Sequence, residues 1–408
     1  MSRYRDIDNS LFIANRAYLV SELQPGSMVV LQSDAQGEYG VYVCNKNLFY
    51  LSGVDQECTA LIIYVDECCV ANEVLFIKEN TEHTQLWEGN ILSISEAYRV
   101  SGIKDIRYIT QYDITMKHYA VKAHSIYTDT YTSARLLGLL EQMQLEYKFA
   151  DLDLLLSKMR IYKSDDEVNF ISYACGITGR GITDVLPKIK PGMFEFQIEA
   201  ELTRSFMYGG SRYMSFPPIV ASGCNACKLH YGNNDSLCRD GEMVLMDVGA
   251  EYANYCSDIT RTVPVNGRFS SRQREVYGAV LSIMDKTAQM IHVGMTFAEY
   301  NNAIVDIVEE TLVDLRLLLY DEVGSGVYKK YFPHGISHHL GLDVHDKSDY
   351  STPIAENMVI TIEPGIYIRD EGLGIRLESD FLVKEIGVVN LCSDVPILVD
   401  EIEQLMFR

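Results

Sequence analysis

Thirteen residues, HGISHHLGLDVHD (334–346), hold four of the chain's nine histidines. Such a cluster can serve a metal site, a proton shuttle or a polar loop, and spacing inside the stretch does not separate these roles. Acids elsewhere in the chain do. Asp247 interrupts the otherwise apolar run MVLMDVGA, and Asp258 follows eleven residues later, beyond a turn-like stretch at Glu251–Asn254. If the two runs form a hairpin, both carboxylates reach one face. Glu363 stands in VITIEPG, just before a Pro-Gly turn, and Glu378 in GIRLESDFLV. A buried, unpaired carboxylate costs several kcal/mol or gives up its charge, so acids in such apolar settings need a partner. Four carboxylates and one neutral imidazole form an oxygen-rich cage suited to two hard divalent cations, Mn2+ first, with Co2+ or Zn2+ as alternatives. Their charges balance with room left for one bridging hydroxide.

A competing reading comes from Cys224, Cys227 and His230, spaced C-x-x-C-x-x-H with Cys238 downstream, as a zinc or redox site. Without a second pair this motif is the weaker of the two. The ten cysteines are scattered, without the density of a disulfide framework, which predicts reduced thiols and a cytoplasmic protein. A net charge of −22 argues against nucleic acid or an anionic membrane as partner. The sequence starts without an apolar signal-peptide core, and no apolar run is long enough to span a bilayer.

The elements that must position these residues fall into two parts. The 408 residues suit two domains, placed at 1–160 and 161–408. The first alternates strand-like runs SMVVLQSD (27–34), FYLSG (49–53), ALIIYV (60–65) and VLFIKEN (74–80) with helical segments, including ARLLGLLEQMQ (134–144), a mixed α/β pattern. A break at Lys163-Ser164 precedes a capped helix. Helices are then expected at 165–186 and 195–208, and strands at 217–223, 242–252 and 255–265. The order repeats, with helices at 271–291 and 297–315 and strands at 358–368 and 374–383. KPGMFEFQIEAEL (190–202) and HVGMTFAEYNNAI (292–304) both set Gly-Met before an amphipathic helix, an echo of internal duplication. The fold class is α/β (α+β), with an internal pseudo-two-fold repeat in the second domain.

The series Asp247, Asp258, His338, Glu363, Glu378 resembles the five-ligand dinuclear centre of the pita-bread metallopeptidases, family M24. MDVGAEYANYCSDITRTVPVNG, HGISHHLGLDVHD, TIEPGIYI and GIRLESDFLV are similar to that family's motifs in order. The likeness covers the C-terminal part and reaches the N-terminal part through NLFYLSGVDQECTALIIY (47–64). Within the family, HGISHHLGLDVHD and FPPIVASGCNACKLHYGNN (216–234) look most like aminopeptidase P, with prolidase next. The segments between His345 and Glu363 and between Glu363 and Glu378 are shorter than in typical aminopeptidase P.

The resemblance implies a peptidase that removes an N-terminal residue preceding proline. It implies His338 as metal ligand, His230 and His345 as oxyanion or substrate donors, and Glu363 as both ligand and proton shuttle. His334 and Arg376 are expected at the substrate site, and Trp87 would help close the active site of a neighbouring subunit in a homodimer or homotetramer. The alternatives are a prolidase confined to Xaa-Pro dipeptides and a non-catalytic binding module of the same fold.

Overall fold

The protein is described by a computed structural model covering residues 4–33, 42–89, 91–130, 132, 136, 138, 140 and 148–407. It divides into two units, Tyr4–Met159 and Arg160–Arg408. In the first, α1 (Ser10–Glu22) precedes β1 (Ser27–Gln32), α2 (Lys46–Ser52), β2 (Ala60–Val65) and β3 (Ala71–Ile77). Next come α3 (Glu82–Glu88), α4 (Ile94–Ser101), β4 (Asp105–Tyr108), α5 (Tyr112–Ala120), β5 (Ser125–Thr128) and β6 (Lys148–Asp151). The strands form one sheet in the order β4-β3-β2-β1-β5-β6. The β1–β2–β3 pairs are antiparallel and the outer pairs parallel. β1 and β2 are buried at every position, which is why they read as unbroken apolar runs rather than alternating ones.

One expected strand is a helix. FYLSG ends α2, whose residues from Asn47 to Ser52 are all buried, so no polar face marks the helical period. Its ends carry the information instead. The Asn45 side chain accepts hydrogen bonds from the N–H groups of Asn47 and Leu48, and Gly53 closes the helix at φ +70°. The expected helix at 134–144 lies largely outside the described residues.

α6 (Leu152–Arg160) leads into the second unit. At the predicted break, Ser164 caps α7 (Asp165–Val185), and the Glu167 carboxylate accepts from the Ser164 N–H at 2.8 Å, completing a capping box. α8 (Glu195–Tyr208) follows, then β7 (Ile219–Ser222), β8 (Met243–Val248), the short pair β9 (Glu251–Tyr252) and β10 (Tyr255–Cys256), and β11 (Ile259–Pro264). β7, β8 and β11 form an antiparallel sheet with β8 central.

The pattern then recurs: helices α9 (Ser271–Met290) and α10 (Phe297–Asp314) precede β12 (Val359–Ile362), β13 (Gly365–Ile368), β14 (Leu373–Arg376), β15 (Ser379–Val383) and β16 (Val388–Asn390), and α11 (Val399–Met406) ends the chain. β15 is central between β12 and β16, while β13 pairs with β14.

The Gly-Met echo is structural. Gly192 and Gly294 both adopt φ +91°, in the left-handed region that favours glycine. Gly192 N–H donates to the Cys238 carbonyl and Cys238 N–H returns to Met193, while Gly294 and Met295 make the same exchange with Ile354. The two halves are stitched together where Glu378 N–H donates to the Thr260 carbonyl at 3.1 Å and Thr262 Oγ1 donates to the Arg376 carbonyl at 2.9 Å. That seam carries the site.

Candidate metal centre

The β8–β11 register sets Asp247 opposite Thr260, two residues after Asp258, so both acids face the same side of the sheet. His338 comes from the loop running along β12: its N–H donates to Thr361 Oγ1 at 3.1 Å, and Thr361 N–H returns to the His338 carbonyl at 2.9 Å. Side chains of such a paired segment alternate, which turns His338 inward and His339 away. His339 is buried between Phe297 and Tyr350, at ring distances of 5.2 and 5.3 Å, and takes no part in the site. Glu363 follows β12, with its N–H on the Ile336 carbonyl at 2.8 Å. Glu378 lies between β14 and β15 and accepts from Thr260 Oγ1 at 2.6 Å.

These five side chains converge. His338 Nε2 lies 3.5 Å from Asp258, 3.7 Å from Glu363 and 4.0 Å from Glu378. Its Nδ1 is 3.0 Å from the His339 carbonyl, so the proton belongs there and the Nε2 lone pair faces the acids. Burial lowers His338 to a pKa of about 4, which keeps the ring neutral. Asp247 Oδ1 and Asp258 Oδ1 are buried without a hydrogen-bond partner among the described residues. Burial, reinforced by the neighbouring carboxylates, pushes Asp258 and Glu378 well above the usual range. Burial also pushes Glu363 up to about 8, with Arg376 opposing and Asp247 adding to the shift. Neutral imidazole, orphaned oxygens and crowded acids together fit the donor set of hard divalent cations.

A second layer supports them. Arg376 Nη2 pairs with Asp247 at 2.5 Å, and its Nη1 donates to the Tyr367 hydroxyl at 2.9 Å. That hydroxyl meets His334 Nε2 at 2.8 Å, while His334 Nδ1 reaches the Gly335 carbonyl at 2.6 Å. Both His334 ring nitrogens are thus engaged, and burial lowers its pKa to about 4. Behind the site, Asp258 N–H and the Cys175 thiol donate to one oxygen of Asp380, at 3.0 and 3.2 Å. Arg160 and Lys163 both pair with the buried Asp346, whose N–H donates to the His339 carbonyl at 2.9 Å. Burial alone would raise Asp346, but the two cations hold it below the ordinary carboxylate value. This anchors the loop on which His338 and His345 stand 4.4 Å apart, ring edge to face.

A cavity of about 520 Å³ is lined by all five of these residues together with His230, His334, His345 and Arg376, and walled by Phe216, Ile219 and Tyr231. His230 and His345 make no side-chain hydrogen bond among the described residues, leaving their nitrogens available. Trp87 lies on α3 in the other unit, 74% exposed, with its ring 6.1 Å from that of His83. The cysteines of C-x-x-C-x-x-H do not gather around His230: Cys224 and Cys227 line a neighbouring cavity, so the zinc reading is not supported. Several contributors were not singled out from sequence, among them Asp346 with Arg160 and Lys163, and also Thr260, Tyr367 and Asp380. Asp380 bore the same mark as the ligands, an acid in an apolar run two residues beyond Glu378. Tyr367 and Thr260 are ordinary strand residues with no such mark.

The sequence profile of metallopeptidase family M24 matches residues 169–385, and that of the aminopeptidase P N-terminal domain matches residues 12–127. Xaa-Pro aminopeptidase of Escherichia coli (strain K12) is 32% identical over 98% of each chain. Xaa-Pro aminopeptidase 3 of Homo sapiens is 28% identical over 93% of this chain and 83% of its own. Among solved structures, E. coli aminopeptidase P with the inhibitor Pro-Leu superposes with TM-score 0.92 at 30% identity, covering 98% of this chain and 99% of that one. The zinc-substituted E. coli enzyme in complex with product gives 0.91 at 29% identity with the same coverage.

The raised carboxylates predict how stability varies with pH. With no cation bound, Glu363 keeps its proton in the folded chain up to about 8 but loses it near 4.5 when unfolded. Between those values the folded state binds more protons, so stability falls as pH rises. Asp258 and Glu378 act in the same sense. Below about 6.5 the buried neutral histidines His334, His338 and His339 act in the opposite sense, so the carboxylates set the slope above it. Chelator-treated protein should therefore melt at a lower temperature at pH 8 than at pH 7, and added Mn2+ should raise the melting temperature more at pH 8. A cation-independent, flat profile in scanning calorimetry would contradict the cage.

Proposed function

Because the chain belongs to metallopeptidase family M24, with an aminopeptidase P N-terminal domain ahead of it, we propose a role for each residue of the centre in the reaction. The protein is a metallo-aminopeptidase of the Xaa-Pro type, which hydrolyses the bond between an N-terminal residue and a following proline. The observation that carries the assignment is the meeting of Asp247, Asp258, His338, Glu363 and Glu378 in one cavity, with buried oxygens of Asp247 and Asp258 unpartnered.

In our reading these five residues hold two divalent cations, Mn2+ by the oxygen-rich donor set. Such cations, when bound, acidify water to give hydroxide at neutral pH and polarise a carbonyl. Glu363 takes the proton released in the attack and passes it to the proline nitrogen. That nitrogen is a tertiary amide without a proton of its own, so protonation as it leaves is a requirement. His345 and His230, with free ring nitrogens at the cavity wall, donate hydrogen bonds to the developing oxyanion. His334 is a substrate-facing wall, clamped by Tyr367 and Gly335 rather than free to donate. Arg376 fixes Asp247 and balances its charge.

The finer setting is also proposed. Ten free cysteines support a reducing, cytoplasmic location. Leu86 and Trp87, adjacent on α3 and 82% and 74% exposed, support a homo-oligomer, dimer or tetramer, in which Trp87 closes a neighbour's active site.

With Mn2+ present, the protein should release the first residue from an Xaa-Pro-Xaa peptide, followed by chromatography of the products, and Asp258→Ala should reduce turnover to background. Cleavage restricted to Xaa-Pro dipeptides would indicate a prolidase, and none at all a binding module. For the assembly, light scattering should give a dimer or tetramer, and Trp87→Ala should raise KM severalfold with little change in melting temperature. An active monomer would contradict the role given to Trp87.

A further inference from the structure

Beside the metal cavity lies another of about 760 Å³, which shares Leu229 with it. Lys228, Lys329, Lys330 and Arg369 face into it, against a single acid, Asp370. Lys330 Nζ lies 3.7 Å from Asp370, so that charge is partly balanced. Lys329 and Arg369 form no ion pair among the described residues. Lys228 donates to Asn225 Oδ1 at 2.8 Å and lies 5.2 Å from the centre of the Tyr231 ring, contacts that leave its charge uncancelled. This happens in a chain with 57 acids against 35 lysines and arginines, where clustered uncompensated cations run against the overall field. Tyr367 links the two: it lines the cationic cavity, while its hydroxyl holds His334 and Arg376 at the metal centre.

We propose that this groove binds the carboxylates of the peptide downstream of the scissile bond, making acidic peptides preferred substrates. The inference rests on the peptidase reading above. A substrate's free N-terminal ammonium is repelled by the groove's cations, so the other end of the peptide occupies the groove. The carboxylates come either from Asp and Glu side chains after the proline or from the C-terminus of a short peptide.

Calorimetric titration of product peptides tests this without requiring turnover. Pro-Glu-Glu, Pro-Gln-Gln and their C-terminal amides are titrated into Mn2+-loaded protein and into the Lys329→Gln/Arg369→Gln double variant. Pro-Glu-Glu should bind about tenfold more tightly than the Pro-Gln-Gln amide at low salt, the sum of several exposed charge pairs. The gap should close at about 0.5 M salt and in the double variant, which should bind the neutral amide as the native protein does. Loss on amidation alone assigns the C-terminal carboxylate, and loss on Glu-to-Gln exchange assigns the side chains. Either supports the groove. Affinities independent of peptide charge, no measurable binding of any peptide, or a preference that survives in the double variant overturn it. A protein that shows the charge preference but cleaves no Xaa-Pro peptide would refute the peptidase reading alone. One that cleaves without the preference would refute the groove alone.

Discussion

Four carboxylates converge on one cavity wall, and their mutual repulsion in a poorly solvated site is the constraint to which the surrounding structure responds. The acids are relieved unequally. Asp247 leans on the guanidinium of Arg376. Glu378 takes the hydroxyl of Thr260. Asp258 donates its backbone N–H to Asp380, whose charge adds to the repulsion on the Asp258 carboxylate, and burial pushes Asp380 itself up to about 7 against the hydrogen bonds it accepts. Asp258 is relieved least, while Arg376 opposes the shift of Glu363, the residue given the proton-transfer role. These contacts leave oxygens on Asp247 and Asp258 unpaired. A charge arrangement this costly is met either by protonation of the acids or by compensating divalent cations.

The duplication explains how one chain brings the acids together. Asp247 and Asp258 come from the first half, and His338, Glu363 and Glu378 from the second. The seam of hydrogen bonds between β11 and the β14–β15 connection fixes the two groups against each other. Arg160 and Lys163 add a third constraint by clamping Asp346 and hence the histidine loop. The placement of His338 and His345 therefore depends on residues far away in sequence.

The convergence of the four acids was legible because each broke an apolar run, a pattern that burial makes expensive without a partner, whereas His338 stood out from its cluster only through the family resemblance. The second-unit helices were legible from their 3.6-residue period, and the Gly-Met echo from the same left-handed turn used twice. The helix ending in FYLSG was not, since burial on all sides erases the period, although Asn45 and Gly53 mark its ends. Tyr367 was hidden because a strand tyrosine is common and only the fold reveals that its hydroxyl bridges His334 and Arg376. The cationic groove was equally hidden, since Lys228, Lys329 and Arg369 are separated by long stretches of sequence and joined only by folding.

The central claim is that one cage built from both halves holds two cations. Anomalous X-ray diffraction from crystals grown with Mn2+ tests it most directly. Two peaks among Asp247, Asp258, His338, Glu363 and Glu378 are predicted. A single peak there, or density instead among Cys175, Asp380 and Cys392, would contradict it.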